Sequence, residues 1–103
     1  MSPSRIKSAV ASVFCVSVEA IESRDKHQPV ALARQVAMYY VYKSGTTMVD
    51  TARLFDRHHT NVTHAVRCVT NWRTCDWEVQ KLTNEVEDAM PELKRVHNLD
   101  YQI

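Results

Sequence analysis

A chain of 103 residues, 45% apolar and carrying a formal charge of +1, supports one domain with a modest core. One Gly and three Pro, with no alternating β-branched run, exclude a turn-rich β fold and point to an all-α chain. No apolar run approaches the roughly 18 residues of a membrane-spanning helix, and the near-neutral total neither favours nor excludes a polyanionic partner.

The charge is unevenly spread. Residues 1–23 balance, residues 24–73 hold eight Lys or Arg against three acids, and residues 74–103 hold three against seven. A basic middle and an acidic final third therefore form separate footprints. The N-terminal twenty residues are too often interrupted by polar side chains for a signal peptide. Cys15, Cys68 and Cys75 are an odd, widely spaced set that fits reduced thiols better than a disulfide framework.

Ser2-Pro3 is a helix start, a hydroxyl cap followed by Pro at the first position. Ile6, Val10, Val13 and Phe14 give that helix one apolar face up to about Cys15. Ser17 caps a short second helix with Val18 and Ile21 facing inward. Glu22 to Pro29 has no apolar residue and reads as a solvated, basic-leaning loop. Pro29 opens a third helix, Val30 to about Ser44, that Gly45 stops. Its inward stripe is Ala33, Val36, Ala37, Tyr40 and Val41, with Arg34, Gln35 and Lys43 expected at the surface. Tyr39, Tyr40 and Tyr42 read mainly as core, Tyr42 being the most exposed of the three.

Thr47 follows as a cap, with Asp50 three residues on as in a capping box. A short helix from Met48 to about Phe55 is expected to bury Val49, Ala52 and Phe55. Asp56-Arg57-His58 makes a tight turn, and a longer helix runs from about His59 to Arg73. On a wheel of about 100° per residue, Val62, Ala65, Val66 and Val69 form its buried stripe. Thr60, Thr63, His64, Arg67 and Asn71 lie opposite, with His58 and His59 at the N-terminal mouth. Thr and Asn suit base edges, Arg and His suit bases or phosphates, and a helix N-terminus favours an anion. Two helices joined by a tight turn, the second with a polar reading face, describe a helix-turn-helix. Beyond it, Thr74 and Asp76 offer a further start, and Trp77, Leu82, Val86 and Met90 carry apolar character to Pro91. Trp72 and Trp77 are expected to pin this last helix, and Glu92 to Ile103 forms a tail with a last turn or two.

The stretch ALARQVAMYYVYKSGTTMVDTARLFDRHHTNVTHAV, residues 31–66, resembles the C-terminal DNA-binding domain (domain IV) of the bacterial replication initiator DnaA. The matching elements are Arg34-Gln35, Ala37-Met38-Tyr39, Phe55, Arg57, His59-Thr60, Val62 and His64-Ala65. With the upstream helix and loop, the resemblance covers about residues 5–90 of a single 1–103 domain. It implies a small all-α bundle of the Trp-repressor and DnaA C-terminal type, which reads double-stranded DNA in the major groove. Base-reading positions map to His58, His59, Thr60 and Asn61, with Thr63 on the same face. Phosphate contacts map to Arg34, Gln35 and His64, with Arg57 at the turn and Arg67 further along. Thr47 and Met48 hold first-helix positions near the DNA, and the minor-groove loop maps to residues 24–27, closest at Lys26. The family's paired Gly before the Arg is reduced to Phe55-Asp56-Arg57, one residue shorter. His58 replaces an Asp, Asn61 a Thr and Val49 a Pro, so the target is expected to differ from a standard initiator box.

Other chemistries are less well supported. His64 and Cys68 lie one turn apart as a metal pair, but the second pair that a structural zinc site uses is missing, so neither metal nor cofactor is expected. Asp56 beside His58 and His59 lacks a pocket and a second carboxylate, so the chain is not expected to be an enzyme. It reads as a stand-alone DNA-binding domain in the cytoplasm, associated with the nucleoid. The alternative is a DnaA-like protein-interaction module. In that reading the acidic third, Asp76 to Glu92, contacts a protein partner or a second copy.

Overall fold

A computed structural model describes residues 2–94. Six α-helices follow in order: α1 Pro3–Phe14, α2 Val18–Glu22, α3 Val30–Lys43, α4 Met48–Leu54, α5 His59–Cys75 and α6 Trp77–Ala89, with a 3-10 turn at Pro91–Leu93. Among the described residues there is no strand, and no helix is long and apolar enough to cross a membrane. The expected tail lies largely beyond the described residues.

Local chemistry places the boundaries. Ser17 Oγ accepts the Ala20 N–H, Thr47 Oγ1 accepts the Asp50 N–H, and Asp76 Oδ1 accepts the Val79 N–H. Each satisfies a donor that a helix start leaves orphaned. At Gly45, φ is +114°, a conformation open chiefly to Gly, and α3 stops there. Two other helix ends use a left-handed residue with a side chain, Cys15 (φ 57°) and Asp56 (φ 52°). Both make the paired bonds of a Schellman motif: Val16 N to Ala11 O with Cys15 N to Ser12 O, and Arg57 N to Ala52 O with Asp56 N to Arg53 O.

The third helix is the central post. Ala33, Val36, Ala37, Met38, Tyr39, Tyr40 and Val41 are all buried, more of its surface than one stripe would require. It packs against α1, α2, α4 and α5, while α6 closes the bundle against α1 and α5. Ile6, Val10, Ile21, Phe55, Val62, Val69, Val86 and Leu93 complete the core.

Several expectations need correction. Arg34 is not a surface residue; only 7% of it is exposed. In α4 the buried pair is Thr51 and Ala52, and Val49 is 52% exposed, because a two-turn helix gives little periodicity from which to choose a face. Trp77 does not pin α6: it is 74% exposed, and Val79, Thr83 and Val86 do that work. Arg73 falls on the buried side of α5, since eleven residues after Val62 is close to three whole turns. Its Nη1 donates to the Tyr39 hydroxyl and its Nη2 to Glu87 Oε2 at 3.0 Å, while Tyr40 donates to the same oxygen at 2.7 Å.

One more buried cation aims the helix-turn-helix. Lys7 Nζ donates to Glu22 Oε2 at 2.7 Å and to the Leu54 carbonyl at 2.6 Å, and stands 4.6 Å from the centre of the Phe55 ring. The end of α4 is thereby tied to α1 and α2 at the point where the chain turns.

Candidate nucleic-acid interface

The turn from α4 to α5 is only Phe55 to His58, so α5 leaves the core with its first turns uncovered. His58 is the N-cap; its Nδ1 accepts the Thr60 N–H at 3.3 Å and lies 3.0 Å from the Thr60 hydroxyl oxygen. The His58 and His59 rings lie 4.2 Å apart between centroids. Behind them Val62, Ala65 and Val69 are buried, whereas His58, His59, Thr60, Asn61, His64 and Arg67 are exposed and Thr63 is half-buried. The polar side of the wheel is thus a free face, three turns long.

At the foot of that face is an open cavity of about 180 Å³, lined by Lys26, Ala31, Arg34, Gln35, Met38, Arg57, Asn61 and His64. Six of the sequence-derived site residues meet here, from the loop, α3, the turn and α5. Ala31 and Met38 supply an apolar floor that the sequence reading missed; their signal was the spacing of 31, 34, 35 and 38 along one side of α3. None of the lining residues is an acid. Thr47, Met48, His58, His59, Thr60, Thr63 and Arg67 lie outside the cavity. The Thr47 hydroxyl is engaged as the α4 cap, and Met48 is half-buried against the core.

Two guanidinium groups shape the cavity. Arg34 donates from Nε to Ile21 O at 2.7 Å, from Nη1 to Asp25 O at 2.8 Å, and from Nη2 to Ala20 O at 3.1 Å and Ser23 O at 2.8 Å. Arg57 Nη2 donates to that same Ser23 carbonyl at 2.6 Å. Two positive charges therefore converge on one backbone oxygen, and among the described residues no carboxylate takes up either in a direct bond. Burial and the neighbouring Arg57 hold the Arg34 guanidinium below its ordinary pKa, with Asp25 working the other way. That ordinary value is so high that Arg34 stays charged at neutral pH.

The loop from Ser23 to Gln28 is shaped by the same carbonyl contacts and by Asp25, whose Oδ1 accepts the His27 N–H at 2.9 Å and lies 2.9 Å from His27 Nδ1. Those His27 contacts keep the Asp25 carboxyl below the usual carboxylate range. Lys26 is thereby carried to the cavity rim. Arg24, two residues earlier, reaches Asp56 of the turn at 3.2 Å. Together these groups can hold an anion at the cavity while the free α5 face offers hydrogen-bond donors and acceptors above it.

A different surface lies at the other end of α5. Gln28, Pro29, Leu32, Trp72, Asp76, Glu78 and Val79 line a shallow groove of about 410 Å³, with the exposed Trp77 between its two acids in sequence. Cys68 Sγ sits 3.5 Å from His64 Nε2, and among the described residues no group of three or more potential metal ligands comes together.

The family described as bacterial dnaA protein helix-turn-helix matches residues 3–69. The chromosomal replication initiator protein DnaA of Bdellovibrio bacteriovorus is 31% identical over 101 residues, covering 96% of this chain and 20% of that protein. Its counterpart in Desulfotalea psychrophila is 29% identical over 94 residues, covering 90% of this chain and 20% of that protein. The Porphyromonas gingivalis protein is 35% identical over 68 residues, 64% of this chain and 14% of its own length. The chain spans about a fifth of the length of the first two relatives.

Proposed function

The chain belongs to the bacterial DnaA helix-turn-helix family, and on that premise we propose that it binds double-stranded DNA sequence-specifically through α4, the turn and α5. In this reading it is a single domain that acts in replication initiation or transcription regulation on the nucleoid, without ATPase activity. The observation that carries the reading is the acid-free cavity where Lys26, Arg34, Arg57 and His64 meet at the foot of the exposed α5 face. Lys26, Arg57, Gln35 and His64 hold the phosphate backbone. Arg34 shapes the cavity from behind and lends its charge. His58, His59, Thr60, Asn61 and Thr63 read base edges, Thr47 and Met48 approach along the first helix, and Arg67 lies further along. The target differs from a standard initiator box, because the substituted positions 58 and 61 are among those that choose bases.

Selection of bound duplexes from a random pool at about 150 mM salt, where non-specific binding is already weak, tests this. A recovered motif, with binding lost on Arg57→Ala, is the expected result. No enrichment from folded protein overturns it. Trp77, 74% exposed beside Asp76 and Glu78, supports a second reading as a contact for a protein partner with basic character. Under that reading Trp77→Ala abolishes partner binding and Arg57→Ala is silent.

A further inference from the structure

The turn of the helix-turn-helix contains a carboxylate that the backbone does not require. Asp56 occupies the left-handed position that ends α4, at φ 52°, and the Schellman bonds there are made by main-chain groups alone. Gly would meet that geometry without steric cost and Asn tolerates it about as well as Asp. What Asp adds is a negative charge, 85% exposed, set between the cationic loop and Arg57. Its oxygen accepts from Arg24 Nη2 at 3.2 Å, and the Arg24 side chain is 76% exposed. An ion pair so open to water contributes little to stability, so its effect has to be sought in what the two charges do to a third.

We propose that Asp56 is a selectivity residue: its carboxylate holds Arg24 in the free protein and opposes backbone phosphate, so that duplex lacking the right base edges binds weakly. This rests on the duplex-binding reading above. Phosphate is attracted to this face by Lys26 and Arg57 whatever the sequence, and such attraction is common to all DNA. A carboxylate in its midst lowers that common attraction while leaving the hydrogen bonds to bases untouched. To contact phosphate, Arg24 must leave Asp56, and the exchange is favourable only where the rest of the face is also satisfied. Specificity is gained by penalising the wrong ligand as well as by rewarding the right one.

The experiment measures binding of a random-sequence duplex of about 20 base pairs across a salt series, for the wild type, Asp56→Asn, Arg24→Gln, the double variant and Arg57→Ala. Asp56→Asn is expected to bind this duplex roughly three- to tenfold tighter at low salt, with the slope of log affinity against log salt steeper by about one as Arg24 becomes available to phosphate. Arg24→Gln alone is expected to weaken binding, since it leaves the Asp56 carboxylate uncompensated, and in the Asp56→Asn background it removes the part of the gain that Arg24 supplies and returns the salt slope to the wild-type value. Asp56→Gly, which relieves the left-handed position as well, gives the same gain and separates charge from folding. An unchanged affinity and slope for both Asp56 variants, in a protein that loses binding with Arg57→Ala, overturns this inference alone. Absence of binding in every variant, or indifference to Arg57→Ala, overturns the duplex reading together with it.

Discussion

Arg34 and Arg73 are equally hidden, 7% and 3% exposed, yet they do opposite things with their charge. Arg73 sits where α3, α5 and α6 cross and meets a carboxylate, Glu87, at 3.0 Å, with Tyr39 and Tyr40 bonded to the same pair. The pair is close to neutral from a distance and acts as internal glue. Arg34 meets four main-chain carbonyls and, among the described residues, no carboxylate in direct contact. Carbonyl dipoles compensate its desolvation without cancelling its charge, so the field of Arg34 still reaches the cavity it backs, beside Arg57 and Lys26. A buried cation is structural when an anion neutralises it in direct contact, and is structural and electrostatic at once when its direct contacts are dipoles.

The largest expected effect breaks the neutral member. Arg73→Met takes the guanidinium partner from the buried Glu87, and losing one partner of such a pair costs about 3–5 kcal/mol, measured by urea unfolding. Replacing both, as Arg73→Met with Glu87→Met, is expected to recover most of that loss, because similar volumes without charge need no solvation. Duplex binding by the folded fraction stays unchanged, since the pair contributes no net field at the cavity.

This contrast also marks how far the sequence could be read. Helix order, both ends of α3 and the tight turn at Asp56-Arg57-His58 were legible because Ser17, Thr47, Pro29, Gly45 and Asp56 are local signals that act on backbone within a few residues of themselves. The free face of α5 was legible because seventeen residues give nearly five turns of pattern. Arg34 and Arg73 were not. A charged side chain reads as surface until its partners are known, and these partners are carbonyls 9 to 14 residues away or a carboxylate 14 residues away. Lys7 was missed for the same reason: its acceptors are the Leu54 carbonyl and Glu22. The exchange of Val49 for Thr51 shows the other limit, a helix too short for its periodicity to choose a face. Within the candidate interface, the residue types were legible but not their grouping, since Lys26, Gln35 and Asn61 meet only when α3 and α5 cross.

A second prediction tests the dipole-held member. Arg34→Lys keeps the charge and loses the planar fork, so the contacts to Ile21, Asp25, Ala20 and Ser23 cannot all be kept. A loss of roughly 2–3 kcal/mol is expected in urea unfolding, at about the value of one or two hydrogen bonds to a charged group. No partner substitution rescues it, because the acceptors are backbone. The salt slope of duplex binding is expected to hold for Arg34→Lys and to fall by about one for Arg34→Met. Equal slopes in the two variants would show that Arg34 shapes the cavity without contributing its charge.

The smallest effect probes the surroundings of the neutral pair through pH. Burial raises the Tyr40 hydroxyl pKa well above its usual range; Glu87 reinforces that and Arg73 opposes it. Burial likewise raises the Glu87 carboxyl, against hydrogen bonds from Tyr40 and Arg73. A raised folded value means stability that is present below the unfolded pKa and lost as pH rises through the folded one. For Glu87 that loss begins once pH rises past its unfolded carboxylate value. For Tyr40 it begins above the unfolded phenol value of about 10, with a slope of up to about 1.4 kcal/mol per pH unit. Tyr40→Phe removes the ionising group, so its stability curve should fall less steeply above that pH, even though it starts lower for want of the bond to Glu87. The two curves should converge on the alkaline side. Parallel curves would mean that the crossing of α3, α5 and α6 opens to water before Tyr40 ionises, and that the neutral pair is less sealed than its burial implies.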